Sequence, residues 1–210
     1  MYAFTLLALP LGFVIMYAGV RDPGQKESAL RSVFKGVVMG IPGLLLWLPY
    51  ALLVRPSWGS FALSLAFLLR YWVLPFGLMT GAYALARGFR GLERGTDYRA
   101  AVAFGLGFLS VFQAAHAVMH WADRYPAYVL VLPVTLAASA FAYPVLLEES
   151  AIDGLPEGLR WLAAALGGFF LAAVALALFF LKLEWLGLVL AVLYTAGALY
   201  LGIERLGRRP

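Results

Sequence analysis

Leu171-Ala-Ala-Val-Ala-Leu-Ala-Leu-Phe-Phe-Leu181 is a run of residues without one polar side chain. A membrane-spanning β-strand would alternate polar and apolar residues, and this run does not alternate. In lipid, the N–H and C=O groups of such a run find partners only inside a helix or a closed barrel, so a helix is expected. Comparable runs, bounded by charged or turn-forming residues, fall at about 2–20, 33–54, 60–86, 100–122, 127–147, 161–181 and 183–203. The expectation is an all-α, polytopic helical bundle of about seven transmembrane helices, forming one domain over residues 1–210.

Composition agrees. Hydrophobic residues make up 63% of the chain and charged residues 13%, with a mean hydropathy of +0.87. Soluble domains carry about a quarter charged residues, so the expected solvent is the lipid bilayer. The absence of cysteine excludes disulfides, thiolate metal sites and cysteine nucleophiles. A net charge of +5 needs no nucleic-acid partner, because the basic residues follow membrane topology. Residues 1–20 lack a basic leader and meet Arg21-Asp22-Pro23-Gly24 rather than a cleavage site, so they read as a retained first helix.

Orientation comes from Lys and Arg. Arg21, Lys26, Arg31, Lys35, Arg87, Arg90, Arg94, Arg99, Arg160, Arg205, Arg208 and Arg209 fall on one side, and only Arg55, Arg124 and Lys182 on the other. By the positive-inside rule the N-terminus is expected outside and the C-terminus in the cytoplasm, as for a multi-pass protein of a bacterial-type inner membrane. Trp47, Trp58, Trp121 and Trp185 lie near the outer boundaries and read as an aromatic belt. The sharpest demand is a reversal at Lys182-Leu183-Glu184; without it the last two spans would be one bent helix.

Small residues four apart let helix backbones approach closely. Gly36/Gly40, Gly77/Gly81 and the ladder Ala164, Gly168, Ala172 have this spacing, and suit packing within the bundle or a homo-oligomer. Pro10, Pro42, Pro49, Pro75, Pro133 and Pro144 fall within spans and are expected to kink them.

One constellation carries chemistry. Gln113, His116, His120 and Asp123 recur at helical spacing on one face of the fourth span and include both histidines of the chain. At 1.5 Å per residue, His116 lies roughly 10 Å and Gln113 roughly 15 Å below the outer boundary, with Arg70 of the third span also roughly 15 Å down. Polar groups at such depth face a bundle interior or a cavity. With Tyr71 beside Arg70, and Tyr125 and Tyr128 near the mouth, the residues imply an outward-facing polar pocket among spans three, four and five. Ordinary packing also fits: His120 and Asp123 as residues reaching for the interface, Gln113 and His116 as bonds between helices.

The residues leave any cofactor open: several chemistries fit the stripe, none tightly. Histidines four apart can share a metal, but no HExxH surrounds His116-Ala-Val-Met-His120. Haem would want histidines from two helices. Phosphate loops, GxSxG elbows and paired intramembrane carboxylates are missing from the sequence, and Glu148-Glu149 sits at a helix end without later histidines. Three functions remain open. The first is binding or transport of a small solute, anion or lipid headgroup at Arg70, Tyr71, Gln113, His116, His120 and Asp123. The second is a non-catalytic subunit of a larger membrane complex, with other membrane subunits as partners. The third is a membrane enzyme acting on lipid, with His116 or His120 as base.

Overall fold

A computed structural model of the chain describes residues 2–53, 66, 69–88, 98–119, 130–148 and 170–207. Within them the protein is all-helical, with α1 (Tyr2–Gly19), α2 (Pro23–Leu53), α3 (Leu74–Gly88), α4 (Tyr98–Met119), α5 (Leu132–Glu148), α6 (Leu171–Phe180) and α7 (Glu184–Gly207). Three of these helices, at Pro23–Leu53, Tyr98–Met119 and Glu184–Gly202, are long and apolar enough to cross a membrane. Leu6–Gly19 and Leu132–Pro144 are shorter apolar helices.

α2 begins ten residues before the expected span, at Pro23 rather than near residue 33. The charged stretch after Arg21 is not a loop. Asp22 caps it: its Oδ2 accepts from the N–H of Gln25 at 3.1 Å, and its carbonyl accepts from Lys26. Proline in the first turn and an acidic cap are both favoured at a helix N-terminus, which explains the extension. Glu27 and Arg31, one turn apart, form an exposed ion pair along the same segment.

α4 is the hub. Residues on every side of it are buried, and α1, α2, α3 and α5 pack around it, α2 most extensively. The buried face of α2 reads Ala29, Ser32, Gly36, Gly40, Gly43, Trp47, Ala51, a stripe at alternating spacings of three and four. Its glycines bring the backbones together. A Cβ on Gly36 would collide with the carbonyl of Phe104, and one on Gly40 would lie 2.9 Å from the carbonyl of Phe108. From the other side, a Cβ on Gly107 would collide with the carbonyl of Val33. Gly36 and Gly40 therefore serve packing inside the chain. Gly77 and Gly81 meet no described residue within 4 Å.

α6 and α7 reverse direction at Leu181-Lys182-Leu183. The N–H of Leu183 bonds the carbonyl of Leu178 at 2.9 Å and that of Lys182 bonds Phe179 at 3.1 Å, a Schellman closure with Lys182 at φ 60°. α7 returns along α6, with Gly187 against Phe179 and Ala175. The pair docks on α5 through Ala138, Ala142, Ala172, Tyr194 and Ala198, where Ser139 and Tyr194 share a buried hydrogen bond of 2.9 Å. Ala164 and Gly168, the rest of the expected ladder, lie outside the described residues.

Among the described residues, many large apolar side chains are exposed. Leu7, Ile15, Phe34, Leu46, Leu53, Val192 and Leu193 are all exposed on α1, α2 and α7. Water would penalise so many exposed large apolar side chains, whereas hydrocarbon does not.

Candidate functional site

α3 does not start cleanly. It is preceded by a π turn over Leu69–Val73, and Pro75 stands in its first turn. Proline cannot donate a main-chain bond and its ring pushes away the carbonyl one turn earlier, so a widened turn ahead of it relieves the crowding. α5 has the same arrangement, with Leu130 and Val131 in π conformation just before Pro133. The two widened turns flank one small cavity.

That cavity is lined by Trp47 of α2, Arg70 and Pro75 at the head of α3, Leu109, Phe112, Gln113 and His116 of α4, and Leu132 and Leu136 of α5. Its volume is about 20 Å³, room for roughly one water. The helical period of α4 puts Gln113 and His116 one turn apart on the face that meets α2 and α5, with Leu109 a further turn away.

Gln113 is 1% exposed, and both its Oε1 and Nε2 are buried without a hydrogen-bond partner among the described residues. Leaving such groups unsatisfied costs about 1–3 kcal/mol each, so a native structure normally supplies water or a ligand. His116 is also buried, its ring edge-on to Trp47 at 6.0 Å between centroids. The Arg70 guanidinium lies 5.7 Å over the Trp47 ring, a cation–π contact, and the Trp47 Nε1–H donates to the Arg70 carbonyl at 3.2 Å.

Of the residues singled out from sequence, Arg70, Gln113 and His116 thus line one cavity. Tyr71 follows Arg70 in the same π turn. His120 and Asp123, with Tyr125 and Tyr128, lie outside the described residues. Among the described residues no three His, Asp or Glu side chains come together as metal ligands.

Trp47 corrects a sequence expectation. Read as a belt residue facing headgroups, it is instead 2% exposed and forms a wall of the cavity. The pocket therefore involves α2 as well as α3, α4 and α5. The signal lay in the spacing from Gly36 and Gly40 through Gly43 to Trp47, which puts the tryptophan on the packed stripe. Trp185, by contrast, is 81% exposed, as a belt residue would be. Searches against protein-family models, curated proteins and solved structures found no match to the chain.

Proposed function

We propose that the chain is a seven-span protein of a bacterial-type inner membrane, N-terminus outside and C-terminus in the cytoplasm, whose cavity binds a small solute for recognition or passage. Three long apolar helices, the exposed apolar side chains of α1, α2 and α7 and the strong bias of Lys and Arg to alternate loops support the membrane reading. The binding reading rests on one observation. Gln113 is buried with its amide unsatisfied, in a cavity that Arg70 and His116 also line. A helix-packing glutamine would have spent its donors and acceptor on a neighbouring helix.

The test is gentle purification from native membrane, with mass spectrometry of every co-purifying protein, lipid, metal and small molecule. A lone protein carrying a small molecule that Arg70→Gln or His116→Ala releases supports a solute site. Stoichiometric protein partners and an empty cavity would support the complex-subunit reading instead. Among the described residues, the Gly77/Gly81 face of α3, which meets no neighbour within 4 Å, favours that reading.

A further inference from the structure

We propose that the charged N-terminal segment of α2 is a docking surface for anionic phospholipid, with Arg31 and Lys35 at the headgroup phosphates and Leu30 and Phe34 against the upper acyl chains. This rests on the membrane reading above, not on the cavity, and adds to it a lipid class and the residues that hold it.

α2 is longer than a bilayer crossing needs. Its 31 residues extend roughly 46 Å, against a hydrocarbon core of about 30 Å. Residues 36–53 carry no charged side chain and account for roughly 27 Å of that length. Lys35 therefore marks one edge of the hydrocarbon, and Arg31 stands one turn beyond it. The turns back to Pro23 run among headgroups. Apolar exposure does not stop where the charges begin. Leu30 and Phe34 are 46% and 69% exposed, on the face that leads on to Val38 and Ile41, and the exposed side chain of Arg31 stands beside them. Headgroup and acyl chain are the two halves of one molecule that meets both.

Charge selects the headgroup. Arg21, Lys26, Arg31 and Lys35 outnumber Asp22 and Glu27 in this segment. Both acids are already engaged, Asp22 as the cap at Gln25 and Glu27 with Arg31. α4 brings a further cation to the same end, because Nη1 of Arg99 donates to Oε1 of Gln25 at 2.6 Å. Nζ of Lys26 lies 5.3 Å over the ring of Tyr17, which holds that charge beside the end of α1. The patch is net positive and level with the edge of the apolar face. A zwitterionic lipid would gain the apolar contacts alone, whereas a lipid with a net negative headgroup gains both. An acidic protein would answer the charge but not an apolar edge that leads directly into the lipid-facing side of α2.

The experiment uses the absence of native cysteine. Val38→Cys on α2 and Val189→Cys on α7 are each labelled with a small fluorophore in the full chain. Val38 lies one turn inside Phe34 and Val189 one turn inside Trp185, so the two report on opposite leaflets at similar depth. The chain is reconstituted in vesicles of phosphatidylcholine and phosphatidylglycerol, with one lipid or the other brominated on its acyl chains to quench. Quenching at Val38 should favour phosphatidylglycerol by about fivefold, the worth of one basic residue at an anionic surface, and at Val189 it should show no preference. Arg31→Gln with Lys35→Gln should bring the Val38 ratio to about one, and high salt should weaken it. If that double variant fails to fold, the contrast between the two labels and its loss in salt still decide. Equal ratios at Val38 and Val189, or a Val38 preference unchanged in the double variant, overturn the proposal and leave the membrane reading standing. Quenching of neither label by either lipid overturns both.

Discussion

Trp47 holds Arg70 at two points: its indole N–H donates to the arginine's main-chain carbonyl at 3.2 Å, and its ring lies under the guanidinium at 5.7 Å. In a π turn a carbonyl looks for the N–H five residues on, and for Arg70 that residue is Pro75, which has none. The tryptophan supplies a donor where the proline cannot. Trp47→Phe, which keeps a ring but loses the N–H, should therefore cost about 1 kcal/mol. Pro75→Ala restores a main-chain donor, so Trp47→Phe should cost distinctly less in that background. A double-mutant cycle on unfolding in mixed micelles measures this, and additivity of the two changes would show that indole and proline are not linked.

The glycines of α2 and α3 should separate sharply. Gly36→Ala and Gly40→Ala push a methyl into the backbone of α4 at Phe104 and Phe108, and should destabilise by about 1–3 kcal/mol. Gly77→Ala and Gly81→Ala meet no described residue within 4 Å and should be neutral or mildly stabilising, as expected for alanine over glycine in a helix. Thermal unfolding of the four variants side by side is the check. Equal losses across both pairs would mean that α3 packs against a neighbour through Gly77 and Gly81.

The contrast shows what the sequence could convey. Helical period put Gln113 and His116 on one face, because burying a polar group is costly enough to orient a helix, and in the structure both line one cavity with Arg70. Trp47 was not legible in the same way. A tryptophan near a span's end fits lipid headgroups or a bundle interior, and rotation of α2 decides between them. That rotation is set by the contact of Gly36 with Phe104, a pairing between helices that no single-helix pattern contains. The first turns of α2 were hidden for a different reason. Gln25, Lys26, Glu27 and Ser28 look like loop until Asp22 is recognised as the cap that starts a helix ahead of the apolar run.

Lys182 sits at φ 60°, where a side chain is strained and glycine is not. Lys182→Gly should stabilise the α6–α7 turn by about 1 kcal/mol, since the Schellman bonds from Lys182 and Leu183 are main-chain and survive the change. Lys182→Ala should gain nothing, because alanine keeps the Cβ that causes the strain. Unfolding midpoints of the two variants in one detergent test this. A gain shared by both would assign the effect to loss of charge rather than to backbone conformation.

Gln113→Met exposes a conflict between stability and binding. Methionine fills a similar volume without polar atoms, so the cost of two unsatisfied groups disappears and the ligand-free protein should gain about 2 kcal/mol or more. A residue that lowers stability yet lines a cavity suits a binding role, where the ligand repays the cost on arrival. Unfolding of wild type and Gln113→Met is measured first without ligand and then with a saturating small molecule. The gap should narrow or reverse on addition, because only the wild type is stabilised. A loss of stability in the ligand-free variant would show that Gln113 is already satisfied in the membrane, by water or by packing, and would withdraw the observation on which the solute site rests.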